Sequence, residues 1–228
     1  MPLLLNIETS AQLCSVCLSK GEKVLALAES NEKFVHAAKI TQFIESCARE
    51  AQVTLRELDA VVLSKGPGSY TGLRVGSSAA KGICYALDKP LIAIHTLQQI
   101  AHATHQKLGL KARYCPMIDA RRMEVYSAQY NAYNEELVPT EAIIITADSF
   151  AEQLASMEEK LVISGDGAEK CKALLTDSQI VFDDTSCSSR HLVPLGLKAY
   201  AEKQFEDLAY FSPFYFKAPN ITMSKKRI

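Results

Sequence analysis

The sequence lacks an excess of either charge. Its 228 residues include 25 basic and 26 acidic side chains, a net charge of −1. That excludes a basic chain that coats nucleic acid and an acidic disordered one, and leaves room for a local nucleic-acid contact. Long apolar runs are also missing. Stretches such as Leu91–Ile94 fall far short of the roughly 20 residues a membrane helix needs. No secretory leader is visible, because Met1–Leu5 runs straight into Asn6 and Glu8 with no basic segment before it. A cytoplasmic protein is expected. The seven cysteines are odd in number and scattered in spacing, so reduced core thiols are expected rather than a disulfide framework. Cys14-x-x-Cys17 has the spacing of a redox or chelating pair. It falls in an expected strand, where residues three apart point to opposite faces.

What is present is an average globular composition, 48% hydrophobic and 22% charged, in a length that suits one or two domains. The apolar pattern then repeats itself. Residues 3–9, 13–19 and 24–28 predict three strands in a meander. Ala37, Ile40, Ile44, Cys47, Ala48 and Ala51 predict a helix. A capping-box turn at Thr54–Glu57, a strand at 60–64, a helix at 71–87, a strand at 90–94 and a helix at 96–107 follow. The second half offers strands at 114–119, 125–130 and 141–145, then a helix from Asp148 to Met157 capped by Asp148. It continues with a strand at 161–164, a helix at 168–175, a strand at 179–182 and a helix at 191–205. The same order twice predicts an α/β duplication, one lobe at 1–108 and another at 109–228, each with a mixed sheet flanked by helices.

Two such lobes resemble the actin-like ATPase (ribonuclease H-like) fold. The resemblance implies that the first strand of each lobe ends at a cleft, with Glu8, Thr9 and Ser10 on one side and Asp119 on the other. The phosphate chemistry of that fold needs close backbone donors. Glu8-Thr9-Ser10-Ala11-Gln12 and Asp119-Ala120-Arg121-Arg122 both lack the glycine that would let a phosphate approach. Arg121 and Arg122 have two readings, an anion site or pairing with nearby acids. Gly165-Asp166-Gly167 sits before an expected helix, where backbone N–H groups would meet a nucleotide. Gly165 and Gly167 equally suit a tight turn. The cleft is therefore expected to be vestigial.

The most informative stretch is Ser64-Lys65-Gly66-Pro67-Gly68-Ser69-Tyr70-Thr71-Gly72-Leu73-Arg74-Val75-Gly76. It is a defined turn and not a Walker loop, with Ser69 or Thr71 placed to cap the next helix. Gly72, Gly76 and Ala80 then recur every four residues on one face. Glycine inside a helix costs up to ~1 kcal/mol, so this row signals close backbone approach, either to the chain's own sheet or to a partner.

This string, with Asn6–Ser10, His36-Ala37-x-x-Ile40, Asp119–Tyr126 and Gly165–Ala168, resembles the TsaB (YeaZ) family of bacterial tRNA threonylcarbamoyladenosine biosynthesis. The matching segments occur in the family's order and span most of the chain. Family members usually carry Asp at the position of Glu8. The resemblance implies a non-catalytic paralogue without a cofactor of its own. Such a subunit docks on a TsaD-type transferase, is joined by a TsaE-type ATPase, and serves tRNA through that complex. A nucleotide at the partner interface stays open. After residue 94, His95-Thr96-Leu97-Gln98-Gln99 matches the transferase's metal helix in position, with Gln99 in place of its second His, and an amide is a poor transition-metal ligand. His102 and His105 are expected to pack or lie on the surface. The implied partner surface is the first two helices: His36, Lys39 and Phe43, with an exposed Phe43 as anchor, and Gly72, Gly76 and Ala80. A weaker homodimer is expected without the partner. The tail Met223–Arg227 is basic and either solubilises the chain or meets tRNA phosphates. The alternative is an ATP-dependent enzyme of the actin-like fold acting alone, which would need a Gly-bearing phosphate loop and a base. A metallopeptidase would need a His-Glu-x-x-His pair, which the sequence lacks.

Overall fold

The structure is a computed structural model that describes residues 1–32 and 35–217. Three strands open the chain, β1 (Leu3–Glu8), β2 (Cys14–Lys20) and β3 (Lys23–Ser30), paired antiparallel. Helix α1 (His36–Glu50), a 3-10 turn at Leu55–Glu57, β4 (Ala60–Ser64), α2 (Tyr70–Leu87), β5 (Leu91–Ile94) and α3 (Thr96–Leu108) follow. The second half adds β6 (Arg113–Asp119), β7 (Glu124–Tyr130), β8 (Glu136–Ile144), α4 (Ala151–Ser156), β9 (Leu161–Ser164), β10 (Ile180–Phe182) and α5 (Ser189–Ala201). The first sheet has the order β3-β2-β1-β4-β5, and the second β8-β7-β6-β9-β10. In each, two antiparallel pairs give way to two parallel ones. Two sheets connected alike are the duplication that the periodicity predicts.

Two expected helices are shortened. Segment 168–175 forms only a 3-10 turn at Glu169–Cys171, although Ala168, Cys171 and Leu175 still bury as a helical face would. A segment this short gains little from helix propagation, and packing alone shapes it. Asp148 caps nothing with its side chain. Its carbonyl accepts from Ala151 N at 3.1 Å, Ser149 Oγ accepts from Thr146 N, and Phe150 is left-handed at φ 71°. The local serine turn takes the residues that would have begun the helix.

The lobe boundary expected at residue 108 is overturned by the packing. Helix α3 lies on β6, β7 and β9 of the second sheet, burying Leu97, Ile100 and Ala101 with Tyr114 and Val162. Helix α5 lies on β1, β4 and β5 of the first sheet, burying Leu192 and Ala199 with Leu4, Val62 and Ile92. Each half donates its last helix to the other's sheet, and the two helices touch in a shared middle layer. The outer face of the first sheet is covered by α1 and α2. After α5 the chain returns to the first lobe, where Glu206 N donates to Leu91 O and Lys81 Nζ donates to Phe211 O. Among the described residues no helix is long and apolar enough to cross a membrane.

Candidate functional site

The ends of β1, β6 and β9 converge where the sequence places a cleft. Glu8, Thr9 and Ser10 are fully buried. Glu8 Oε1 accepts from Ser10 N at 2.6 Å and Ser10 Oγ at 2.5 Å, and Glu8 Oε2 accepts from Gln99 Nε2. Burial pushes the Glu8 carboxyl up, against the pull of those donors. Ser10 O accepts from Ser69 N at 2.6 Å, and Ser10 Oγ meets Cys187 Sγ at 3.7 Å. Across the cleft Asp119 pairs with Lys170 and accepts from Arg121 N. Asp166 lies within electrostatic reach of Asp119 and Glu8. Desolvation first, then these two carboxylates, raise it to about 6.

Several backbone donors of these loops are used internally. Ser10 N serves Glu8, Gly165 N donates to Thr185 O, Gly167 N to Met117 O and Ala120 N to Glu124 O. The two glycines have a structural reason: Gly165 is at φ 93° and a Cβ there would collide with Met117 O, while one at Gly167 would press on the backbone of Met117–Asp119. The shortened segment 168–175 also offers no helix N-terminus. With the Glu8 oxygens engaged and these amides used internally, the residues present do not fit a metal-bound nucleotide at this cleft.

Gln99 is the residue that sequence reasoning places without its role. It is fully buried, donates to Glu8 and Ser64, and so ties α3 to β1 and β4. His95, at the start of α3, packs edge-on to Phe214 at 5.4 Å, and burial, then Lys65, lowers it to about 4. His105 Nδ1 lies 3.0 Å from Tyr114 Oη, and burial lowers His102. Cys14 and Cys17 are free and buried, their thiols pushed up to about 11 and about 12 by burial. Among the described residues no group of His, Cys, Asp or Glu has the arrangement of a metal site.

The expected partner residues require correction. Gly72, Gly76 and Ala80 are buried and face the chain's own first lobe. A Cβ at Gly72 would collide with Thr9 O, and one at Gly76 with Thr9 Oγ1. The row lets α2 rest on the end of β1, while Ser69 caps the helix by accepting from Gly72 N at 3.2 Å. Phe43 is half-buried against the main core and not an exposed anchor. His36 Nε2 lies 3.0 Å from Ala11 O, and Lys39 pairs with Glu32.

The outer side of the same two helices has another character. Ala37, Ala38, Thr41 and Gln42 of α1 and Ser78, Gly82, Tyr85 and Ala86 of α2 are exposed, with Val75, Ala79 and Ile83 partly so. Nothing lies within 4 Å of a Cβ at Gly82. Beside it a groove of about 470 Å³ is lined by Leu55, Gly82, Ile83, Ala86 and Leu87, with Thr54 and Arg56 at the rim. Arg74 of α2 and the Glu45–Arg49 pair of α1 are exposed on the same helices, so the small uncharged residues form a patch bordered by charge. Gly82 signals this face in the sequence, as the one glycine of α2 outside the buried row.

Comparison with known proteins decides the family. A model described as TsaD, tRNA N6-adenosine threonylcarbamoyltransferase, matches residues 30–225. A tRNA threonylcarbamoyladenosine biosynthesis protein TsaB from Buchnera aphidicola subsp. Schizaphis graminum is 30% identical over 172 residues, 75% of this chain and 81% of its own. The chain belongs to the TsaB (YeaZ) family. The Escherichia coli K12 TsaB is 26% identical over 223 residues, 94% of each chain. YeaZ from Pseudomonas aeruginosa superposes with a TM-score of 0.78 at 24% identity, over 95% of this chain and 100% of that one. The two-lobe architecture is the actin-like ATPase fold. Membership of the TsaB family places the chain in tRNA threonylcarbamoyladenosine biosynthesis. The tail Met223–Arg227 lies outside the described residues.

Proposed function

We propose that this chain is a non-catalytic scaffold subunit. It docks a TsaD-type transferase, and with it a TsaE-type ATPase, for threonylcarbamoylation of adenosine beside the tRNA anticodon. The observation that carries this reading is the sealed cleft. Glu8 is enclosed by Ser10 and Gln99, and the amides of Ser10, Ala120, Gly165 and Gly167 are spent on the protein's own carbonyls and carboxylates. Any nucleotide at the assembled complex then belongs to the partner's side of the interface.

The docking face we assign is the outward side of α1 and α2, centred on Gly82 and the adjoining groove. An exposed helix glycine costs ~1 kcal/mol and no internal contact requires it. A second protein lying against the helix backbone gives a reason for it. Exposed Tyr85 has the character of an interface anchor. A second copy uses the same face more weakly when the transferase is absent. The test is light scattering on a sizing column, with the chain alone and mixed with a TsaD-type transferase. Wild type forms a heterodimer. Gly82→Glu and Tyr85→Ala lose it while melting at the wild-type temperature or above. Co-elution unchanged in both variants refutes this docking face.

A further inference from the structure

The segment that follows α5 crosses from one lobe to the other, and its side chains build a surface the scaffold role does not use. Phe214 N donates to Lys65 O at 2.7 Å, anchoring the segment beside the turn before α2. Tyr215 then packs on Tyr70 with ring centroids 4.8 Å apart, and the Arg74 guanidinium sits 5.6 Å above the Tyr70 ring. The next residue, Phe216, packs on Tyr126 of the second lobe at 5.6 Å, and Lys217 pairs with Glu124. Tyr215 and Phe216 keep 36% and 37% of their surface exposed, so each offers part of a ring face to solvent. Glu124 closes the β6–β7 hairpin, whose tip carries Arg121 and Arg122, both exposed.

That tip is a costly place for arginine. Arg121 and Arg122 are consecutive left-handed residues, at φ 74° and 51°. Such positions favour Asn or Gly, and longer side chains there store strain. The Asp119 carboxylate accepting from Arg121 N at 2.8 Å, and Ala120 N donating to Glu124 O, hold the turn in place. Two exposed arginines thus top the hairpin whose Tyr126 and Glu124 receive Phe216 and Lys217.

Aromatic faces alternating with arginine are the chemistry of single-stranded RNA: rings stack on bases, and guanidinium groups meet phosphates or stack themselves. We propose that Arg74, Tyr215, Phe216, Arg121 and Arg122 form a contact strip for an unpaired RNA loop. The strip spans both lobes and meets α2 at Arg74, one turn before Ser78 of the docking face. This rests on the scaffold reading above, and makes the subunit a direct holder of the tRNA as well as a platform.

The test is fluorescence anisotropy with a labelled, unmodified anticodon stem-loop RNA, using the full chain alone and then its complex with the transferase. The free chain binds weakly, with an affinity that falls as salt rises. Tyr215→Ala loses about tenfold in affinity, and Tyr215→Phe retains it. Arg121→Ala and Arg122→Ala each lower the salt slope by about 0.7. Arg122→Asn melts no lower than wild type yet binds RNA less, a pairing that a merely structural role would not produce. Absence of RNA binding by the free chain, or wild-type affinity in the Tyr215→Ala and arginine variants, overturns the proposal. So does loss of transferase co-elution in these variants with RNA affinity unchanged, which would make the strip a protein contact. The two readings fail separately, because RNA affinity is measured without the transferase and co-elution without RNA.

Discussion

Glu8 shows how one side chain can close an active cleft. A buried carboxylate is tolerable only when its oxygens are held, and here Ser10 and Gln99 hold them. Gln99→Leu removes a donor and leaves Glu8 enclosed without it, which should cost on the order of 2–4 kcal/mol in urea denaturation at pH 7. Glu8→Gln should stay within about 1 kcal/mol of wild type, because Gln99 Oε1 has no partner among the described residues and a flipped amide can use it. His95 adds a pH signature. Its folded pKa is depressed from 6.5 to about 4, so as pH falls the unfolded chain takes up the proton first. The part of the stability that depends on His95 should be complete above pH 6.5 and shrink as pH drops from 6.5 toward 4, by on the order of 2 kcal/mol after screening by the solvent it still meets. Thermal melts of His95→Phe should fall less than those of wild type across the same range. At this scale the sequence shows an amide at position 99 and no glycine in either loop. It does not show that Gln99 reaches Glu8, because the two are 91 residues apart and meet only once α3 is docked.

Helix α2 carries three glycines with three different environments. Gly72 abuts a backbone carbonyl, Gly76 a buried threonine hydroxyl and Gly82 nothing. Alanine should be worst tolerated at Gly72, since a backbone cannot step aside. It should cost less at Gly76, and stabilise by up to ~1 kcal/mol at Gly82. Circular dichroism melts of the three variants give the ranking directly, and a destabilised Gly82→Ala would contradict the open surroundings described above. The repeat of small residues is legible in the sequence, but its direction is not. Spacing of four marks one face of a helix without saying whether sheet or partner lies opposite it. The strands were legible because buried apolar runs bounded by turns have few other readings. The short helices of the second half were not, since a serine turn or packing outweighs propensity over six or eight residues.

The whole molecule is two similar lobes that do not separate. Without α5, the face of the first sheet bearing Leu4, Val62 and Ile92 has no cover. A fragment ending at residue 108 should therefore bind a hydrophobic dye and lack a cooperative melt, while the full chain unfolds in one transition. A fragment with its own sharp transition would show that the exchanged helix is dispensable. The repeat of elements was readable along the chain, but the exchange was not, because either docking satisfies the same apolar stripe. The exchange also sets an order of events at the ribosome. The first sheet has all its strands once Ile94 has emerged, yet its inner face stays bare until Ala201 follows. At bacterial and eukaryotic elongation speeds of roughly 5–20 residues per second, that interval is about 5–20 s. Through it the nascent chain displays Leu4, Val62 and Ile92 with nothing to cover them, a long opening for a holding chaperone and a reason for the last helix to arrive intact.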